Sequence, residues 1–242
     1  MKFVNIPWYR WCWIILTAAV IVIATNFTFK RFLPQPILVQ FSPNQQVSSP
    51  VIPSENLPLS SPNEVANKTK YGHFPYGEAD RSNLMTIASY AQQQYQRFEQ
   101  LDRAAALALM KMIYAARDEG VWIIPVSGFR DIVSQELLFK KQIQKRGSPE
   151  AAAKLSAPPG YSEHHTGYAI DLADGSYPKK DVTYEFENTN AYRWLTLHAK
   201  DFGFEMSFTA NNSQGVSYEP WHWRFVGSPD STKIFEQARS IQ

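Results

Sequence analysis

Cysteine is almost absent. Cys12 is the single one among 242 residues, so no intramolecular disulfide can form. That composition is compatible with the cytosol, or with a bacterial envelope protein that does without bridges. It also removes thiolates from the C-terminal region, where a metal site must be built from imidazole and carboxylate. Excess charge is lacking too. The formal net charge of +2 carries no nucleic-acid footprint. A regular alternation of strands and helices is missing, which argues against a doubly wound parallel sheet. The chain is nevertheless long enough for one well-cored domain plus extensions.

What is present falls into three stretches. In residues 1–31, Lys2 and Arg10 precede an apolar run from Trp11 to Ala24. The run extends more weakly to Phe29, and Lys30 and Arg31 close it. About 14 strongly apolar residues suit a signal h-region, while the run counted to Phe29 is long enough to span a bilayer. Trp8, Tyr9, Trp11 and Trp13 suit an interfacial belt. Ala24-Thr25-Asn26 is a poor cleavage site, and Cys12 lacks a lipobox context. An uncleaved signal anchor is expected, with the C-terminal domain in the cell envelope outside the cytoplasm. A signal peptide cleaved to release a secreted domain is the alternative. In residues 32–70, Pro34, Pro36, Pro43, Pro50, Pro53, Pro58 and Pro62 alternate with Ser, Gln and Asn. Without a periodic apolar face, this reads as a disordered, extended spacer.

Residues 71–242 carry the domain. Tyr71 to Tyr76 reads as a strap packed on the core. Leu101, Ala105, Ala108, Leu109, Met112 and Ala116 recur at helical spacing, predicting a helix from about Asp102 to Glu119 stopped at Gly120. An earlier helix is placed over Asn83 to Phe98. Val121 to Val126 predicts a strand with a bulge or edge at Pro125. Helices follow over Val133 to Lys145 and Pro149 to Ser156, then a strand over Tyr168 to Leu172. Asn190 to Gly203 predicts another helix, Phe204 to Phe208 and Tyr218 to Val226 strands, and Asp230 to Gln242 a terminal helix. The fold class expected is α+β, with a small antiparallel sheet, flanking helices and the site in a groove.

Two stretches carry the chemistry. Ser162-Glu163-His164-His165-Thr166-Gly167-Tyr168-Ala169-Ile170-Asp171 and Glu219-Pro220-Trp221-His222-Trp223-Arg224 supply imidazoles and carboxylates enough for one metal and a separate base. On a straight strand, His164 and Asp171 would point to opposite faces. An irregular approach through His164 to Gly167 is therefore required, and Gly167 suits the bend. His73 and His198 are read as structural, while Glu163, His165 and Asp174 are near-neighbours of the site with weaker claims, Asp174 alternatively a turn residue before Gly175.

The pattern Ser-x-His-x-x-Gly-x-Ala-x-Asp followed downstream by Glu-Pro-Trp-His resembles the VanY-type zinc D-Ala-D-Ala carboxypeptidases. These are bacterial cell-wall peptidases related in fold to VanX and the hedgehog domain. Ser127-Gly128-Phe129-Arg130 with Gln135, and Ala157-Pro158-Pro159-Gly160-Tyr161, extend the resemblance over roughly Tyr71 to Gly227. Phe129 stands for the usual Tyr, and His165 where relatives often carry Gln.

The resemblance implies zinc held by His164, Asp171 and His222, with Glu219 as general base and then acid. Arg130 is implied to stabilise the oxyanion. Gln135 and Ser162 are implied to donate hydrogen bonds to the substrate's terminal carboxylate. The implied reaction releases terminal D-Ala from peptidoglycan stem peptides with no organic cofactor, and a monomer is expected. A DD or an LD bond, an endopeptidase, and a non-catalytic wall-binding module on the same fold all remain open.

Overall fold

The computed structural model describes residues 69–92, 94–177 and 182–241. The expected anchor and proline-rich spacer lie outside the described residues. No helix among the described residues is long and apolar enough to cross a membrane.

The architecture is α+β with two small antiparallel sheets. A two-stranded sheet pairs β1 (Leu84–Gln92) with β2 (Tyr95–Asp102). A four-stranded sheet contains β3 (Ile123–Ser127), β4 (Ala169–Asp174), β5 (Phe204–Met206) and β6 (His222–Phe225), in the order β3-β4-β6-β5. All its neighbours are antiparallel.

Helix α1 (Arg103–Asp118) forms where the apolar period predicts it. Asp102 caps it by accepting from the Ala104 amide. Ala105, Leu109, Met112 and Ala116 are buried on one face. Burying Leu109 and Met112 stabilises by roughly 1.5–3 kcal/mol each. Their neighbours in the core include Leu101, Ile170, Leu172, Phe204 and Trp223. Helices α2 (Ile132–Arg146) and α3 (Pro149–Ala153) follow β3, capped by Asp131 and Ser148. Helices α4 (Asn190–His198) and α5 (Pro229–Arg239) complete the fold. The strap is ordered, with Phe74 buried and the Tyr76 amide bonded to the Gly160 carbonyl.

The segment expected as an early helix is instead the β1–β2 hairpin. Ala, Leu, Met and Gln give it a helical composition, but Thr86, Ile87, Tyr90, Tyr95 and Phe98 favour a pleated surface. Cross-strand pairing decides it, with one register shift between Thr86 and Ala88. Leu101, read as part of the helical face, is the buried end of β2. The irregularity expected at Pro125 is present, as a register shift between Pro125 and Ser127 on an edge strand.

The bend between His164 and Asp171 is a 3-10 turn, Glu163–Thr166. Ser162 caps it through the His164 amide, and Gly167 ends it at φ 72°. A Cβ at Gly167 would sit 3.2 Å from the Asp102 amide nitrogen, so both backbone conformation and space favour glycine there. Beyond it, every residue of β4 is buried. The sheet register sets Ser127 of β3 beside Asp171 of β4, and Asp171 beside His222 of β6.

Candidate metal centre

The register row and the 3-10 turn bring His164, Asp171 and His222 together. One ligand atom from each lies within 4.8 Å of the others. His164 Nε2 is 3.4 Å from Asp171 Oδ2, and His222 Nδ1 is 3.0 Å from Asp171 Oδ1. Ligands about 2.0–2.1 Å from a tetrahedral zinc stand ~3.3 Å apart, so the donor set and its spacing fit zinc. Two imidazoles and one carboxylate leave the fourth position for water or substrate, as hydrolytic zinc sites require.

The electrostatics have the same character. Burial opposes ionisation of Asp171, but the imidazoles of His164 and His222 hold it well below the usual carboxylate range. Burial lowers His164. Burial also works against the His222 imidazolium, yet hydrogen bonds and charge from Asp171 and Glu163 push it up to about 10. The protein thus prepares a place for positive charge.

Glu219 lies beside the cluster, its Oε2 3.9 Å from His222 Nδ1. Burial pushes its carboxyl up to about 8; the His222 charge opposes this, while Asp171 and Glu163 reinforce it. Arg130 lines the same cleft, a cavity of about 360 Å³. Its guanidinium is braced by Nη1 to Gln135 Oε1 at 2.9 Å and Nη2 to Ser127 Oγ at 2.8 Å.

A sequence profile of the VanY family, D-alanyl-D-alanine carboxypeptidase, matches residues 98–228. This chain belongs to the VanY family. It is 32% identical over 155 residues to the D-alanyl-D-alanine carboxypeptidase of Enterococcus faecalis, covering 60% of this chain and 55% of that protein. It is 29% identical over 120 residues to the bifunctional D-Ala-D-Ala dipeptidase and D-Ala-D-Ala carboxypeptidase VanXYC of Enterococcus gallinarum, covering 48% of this chain and 63% of that one. The chain spans about half the length of the curated relatives it matches. Among solved structures, the LdcB LD-carboxypeptidase superposes with a TM-score of 0.56 at 29% identity, over 70% of this chain and 78% of that chain.

In this VanY-family chain, the two expected substrate contacts, Gln135 and Ser162, both line the cleft and also make internal hydrogen bonds. Gln135 is buried, accepts from Arg130, and donates its amide to Ser156 Oγ and the Ala157 carbonyl. Both amide hydrogens are engaged here, its oxygen braces Arg130, and the side chain lines the cleft. The Ser162 oxygen caps the turn, although the side chain does line the cleft. Ser127, unremarked in the sequence beyond its motif, braces Arg130 from the other side.

His165 is a buried staple outside the metal cluster. Its Nδ1 donates to the Arg130 carbonyl at 2.6 Å, and its Nε2 accepts from the Gly160 amide at 3.1 Å. His73 bonds the Ala153 carbonyl, and the His198 ring lies tilted against Trp194. Asp174 accepts from the Ser176 and Ala191 amides, tying a turn to the start of α4. Gly128 holds His164, its carbonyl 2.8 Å from Nδ1, which leaves Nε2 for the metal. The glycine is itself wedged against the hairpin: its amide donates to Glu99 Oε2, and a Cβ would fall 2.2 Å from the Gln100 carbonyl oxygen.

Proposed function

We propose that the domain is a zinc carboxypeptidase that removes the terminal D-Ala of peptidoglycan stem peptides. The observation that carries this reading is the convergence of His164, Asp171, His222, Glu219 and Arg130 on one cleft, in a chain of the VanY family. His164, Asp171 and His222 would hold the zinc, which when bound supplies a Lewis acid and acidifies a water molecule.

The remaining work falls to the protein. Glu219 sits beside the cluster in a buried setting that raises its basicity. It takes the proton from the attacking water and returns it to the leaving amine. Arg130, held on two sides, presents a fixed guanidinium to the oxygen that gains charge. Pre-set donors of this kind need no reorganisation during reaction, which is why bracing matters. Hydrolysis of an LD bond is the second reading, favoured by the likeness to the LdcB LD-carboxypeptidase. Peptides ending in D-Ala-D-Ala and those ending in an L-residue followed by D-Ala separate the two. On sequence grounds, residues 1–31 anchor the chain to a membrane, with this domain on the side where stem peptides lie.

Glu219→Gln tests the mechanism. The variant is expected to keep its zinc and to release D-Ala about 10²–10⁴-fold more slowly. Loss of zinc would make Glu219 a ligand instead of the base. Full turnover would refute its catalytic role.

A further inference from the structure

One buried carboxylate at the site takes no part in the chemistry above. Glu163 is the residue just before His164, and its side chain turns away from Asp171 to the far side of His222. Its Oε2 lies 3.0 Å from His222 Nε2 and accepts from Ser207 Oγ at 2.5 Å. Its Oε1 accepts from Arg224 Nη1 at 3.0 Å. Glu163 is 3% exposed and Arg224 0%. Arg224 in turn donates through Nε to Glu205 Oε1 at 2.8 Å.

The hydrogen count around Glu163 is closed by chemistry. A guanidinium has donors only, and the Ser207 hydroxyl donates. Arg224 Nη1 lies 3.0 Å from Oε1 with both side chains buried, and this ion pair keeps Glu163 a carboxylate. An ionised carboxylate offers only lone pairs, so His222 Nε2 must carry the hydrogen. The nitrogen left for a metal is Nδ1, the one that faces Asp171. His164 has the opposite arrangement, with Nδ1 taken by the Gly128 carbonyl and Nε2 facing Asp171.

We propose that Glu163, clamped by Arg224 and Ser207, is the positioning residue that fixes His222 as the Nε2–H tautomer and aims Nδ1 into the metal site. The proposal rests on the zinc reading above. Carboxylates behind metal-bound imidazoles set ring orientation and ligand basicity, and their removal typically costs about 10–100-fold in metal affinity. Here the clamp is a side chain on one histidine and a backbone carbonyl on the other, so only the His222 clamp can be removed by substitution.

The test is zinc affinity of the full chain, by competition with a chromophoric chelator, for wild type, Glu163→Gln and His222→Ala. Glutamine has one acceptor oxygen, so whichever way it turns, its amide hydrogens meet a donor. Glu163→Gln is expected to bind zinc 10–100-fold more weakly, with metal-free melting recorded beside it to separate folding from binding. If His222→Ala loses zinc while Glu163→Gln matches wild type, the positioning role is overturned and the metal site stands. If His222→Ala also matches wild type, the metal site itself is misassigned. Should Glu163→Gln fail to fold, wild type decides alone. In ¹⁵N-histidine-labelled, zinc-loaded protein, the two metal-bound histidines are expected as opposite tautomers, one Nδ1–H and one Nε2–H. Two alike would overturn the proposal.

Discussion

Gly128→Ala places one methyl group where the protein has no room. The new Cβ would lie 2.2 Å from the Gln100 carbonyl oxygen and 3.1 Å from its carbon, both backbone atoms of β2. Restoring contact near ~3.5 Å requires the hairpin and the Ser127–Arg130 corner to part by about 1 Å. The same Gln100 oxygen accepts from the Phe129 amide at 2.7 Å, so the movement breaks that bond. It also strains the 2.8 Å bond from the Gly128 amide to Glu99. Overpacking costs about 1–3 kcal/mol and a lost hydrogen bond about 1 kcal/mol more, for about 2–4 kcal/mol in all. At 2–4 °C per kcal/mol for a domain of this size, the Tm should fall by roughly 4–16 °C. Zinc affinity should fall as well, because the displaced Gly128 carbonyl holds His164 Nδ1. Differential scanning calorimetry and chelator competition read the two effects. Gly77→Ala is the control, since nothing lies within 4 Å of a Cβ there. If Gly128→Ala melts and binds zinc like Gly77→Ala, the close approach does not support the site as described.

His165→Ala should lower stability by about 2–4 kcal/mol by orphaning the Arg130 carbonyl and the Gly160 amide. Zinc content should be unchanged, and loss of zinc from a folded variant would contradict its place outside the cluster. The anchor reading predicts that the full chain fractionates with membranes and begins at Met1. N-terminal sequencing that starts after Thr25 would establish a cleaved signal instead.

Much of the site was legible because its residues are dense in two short stretches. The odd spacing of His164 and Asp171 also demanded a bend, and Gly167 supplied it. Helix α1 was legible from its period. The hairpin was not, since Ala, Gln and Met suit a helix and only pairing with a distant partner strand resolves the choice. Gln135 lies at the right place in sequence to approach Arg130, but its role depends on Ser156 and Ala157, which no local pattern links to it. The Glu163–Arg224 pair was invisible for the same reason. Each residue looked like a polar neighbour of a motif histidine, and only the pairing of β4 with β6 brings the two together.

The hairpin that supports Gly128 has two unequal ends. Tyr95 and Phe98 are exposed towards its tip, whereas Glu99 and the Gln100 carbonyl at its base hold the corner that carries Arg130. Between the two ends, Arg97 lines the cleft and bonds the Val126 carbonyl. A slip of one residue in the pairing would turn Glu99 to the opposite face and away from Gly128. The base is thus intolerant of change, because the corner that carries Arg130 is bonded to it.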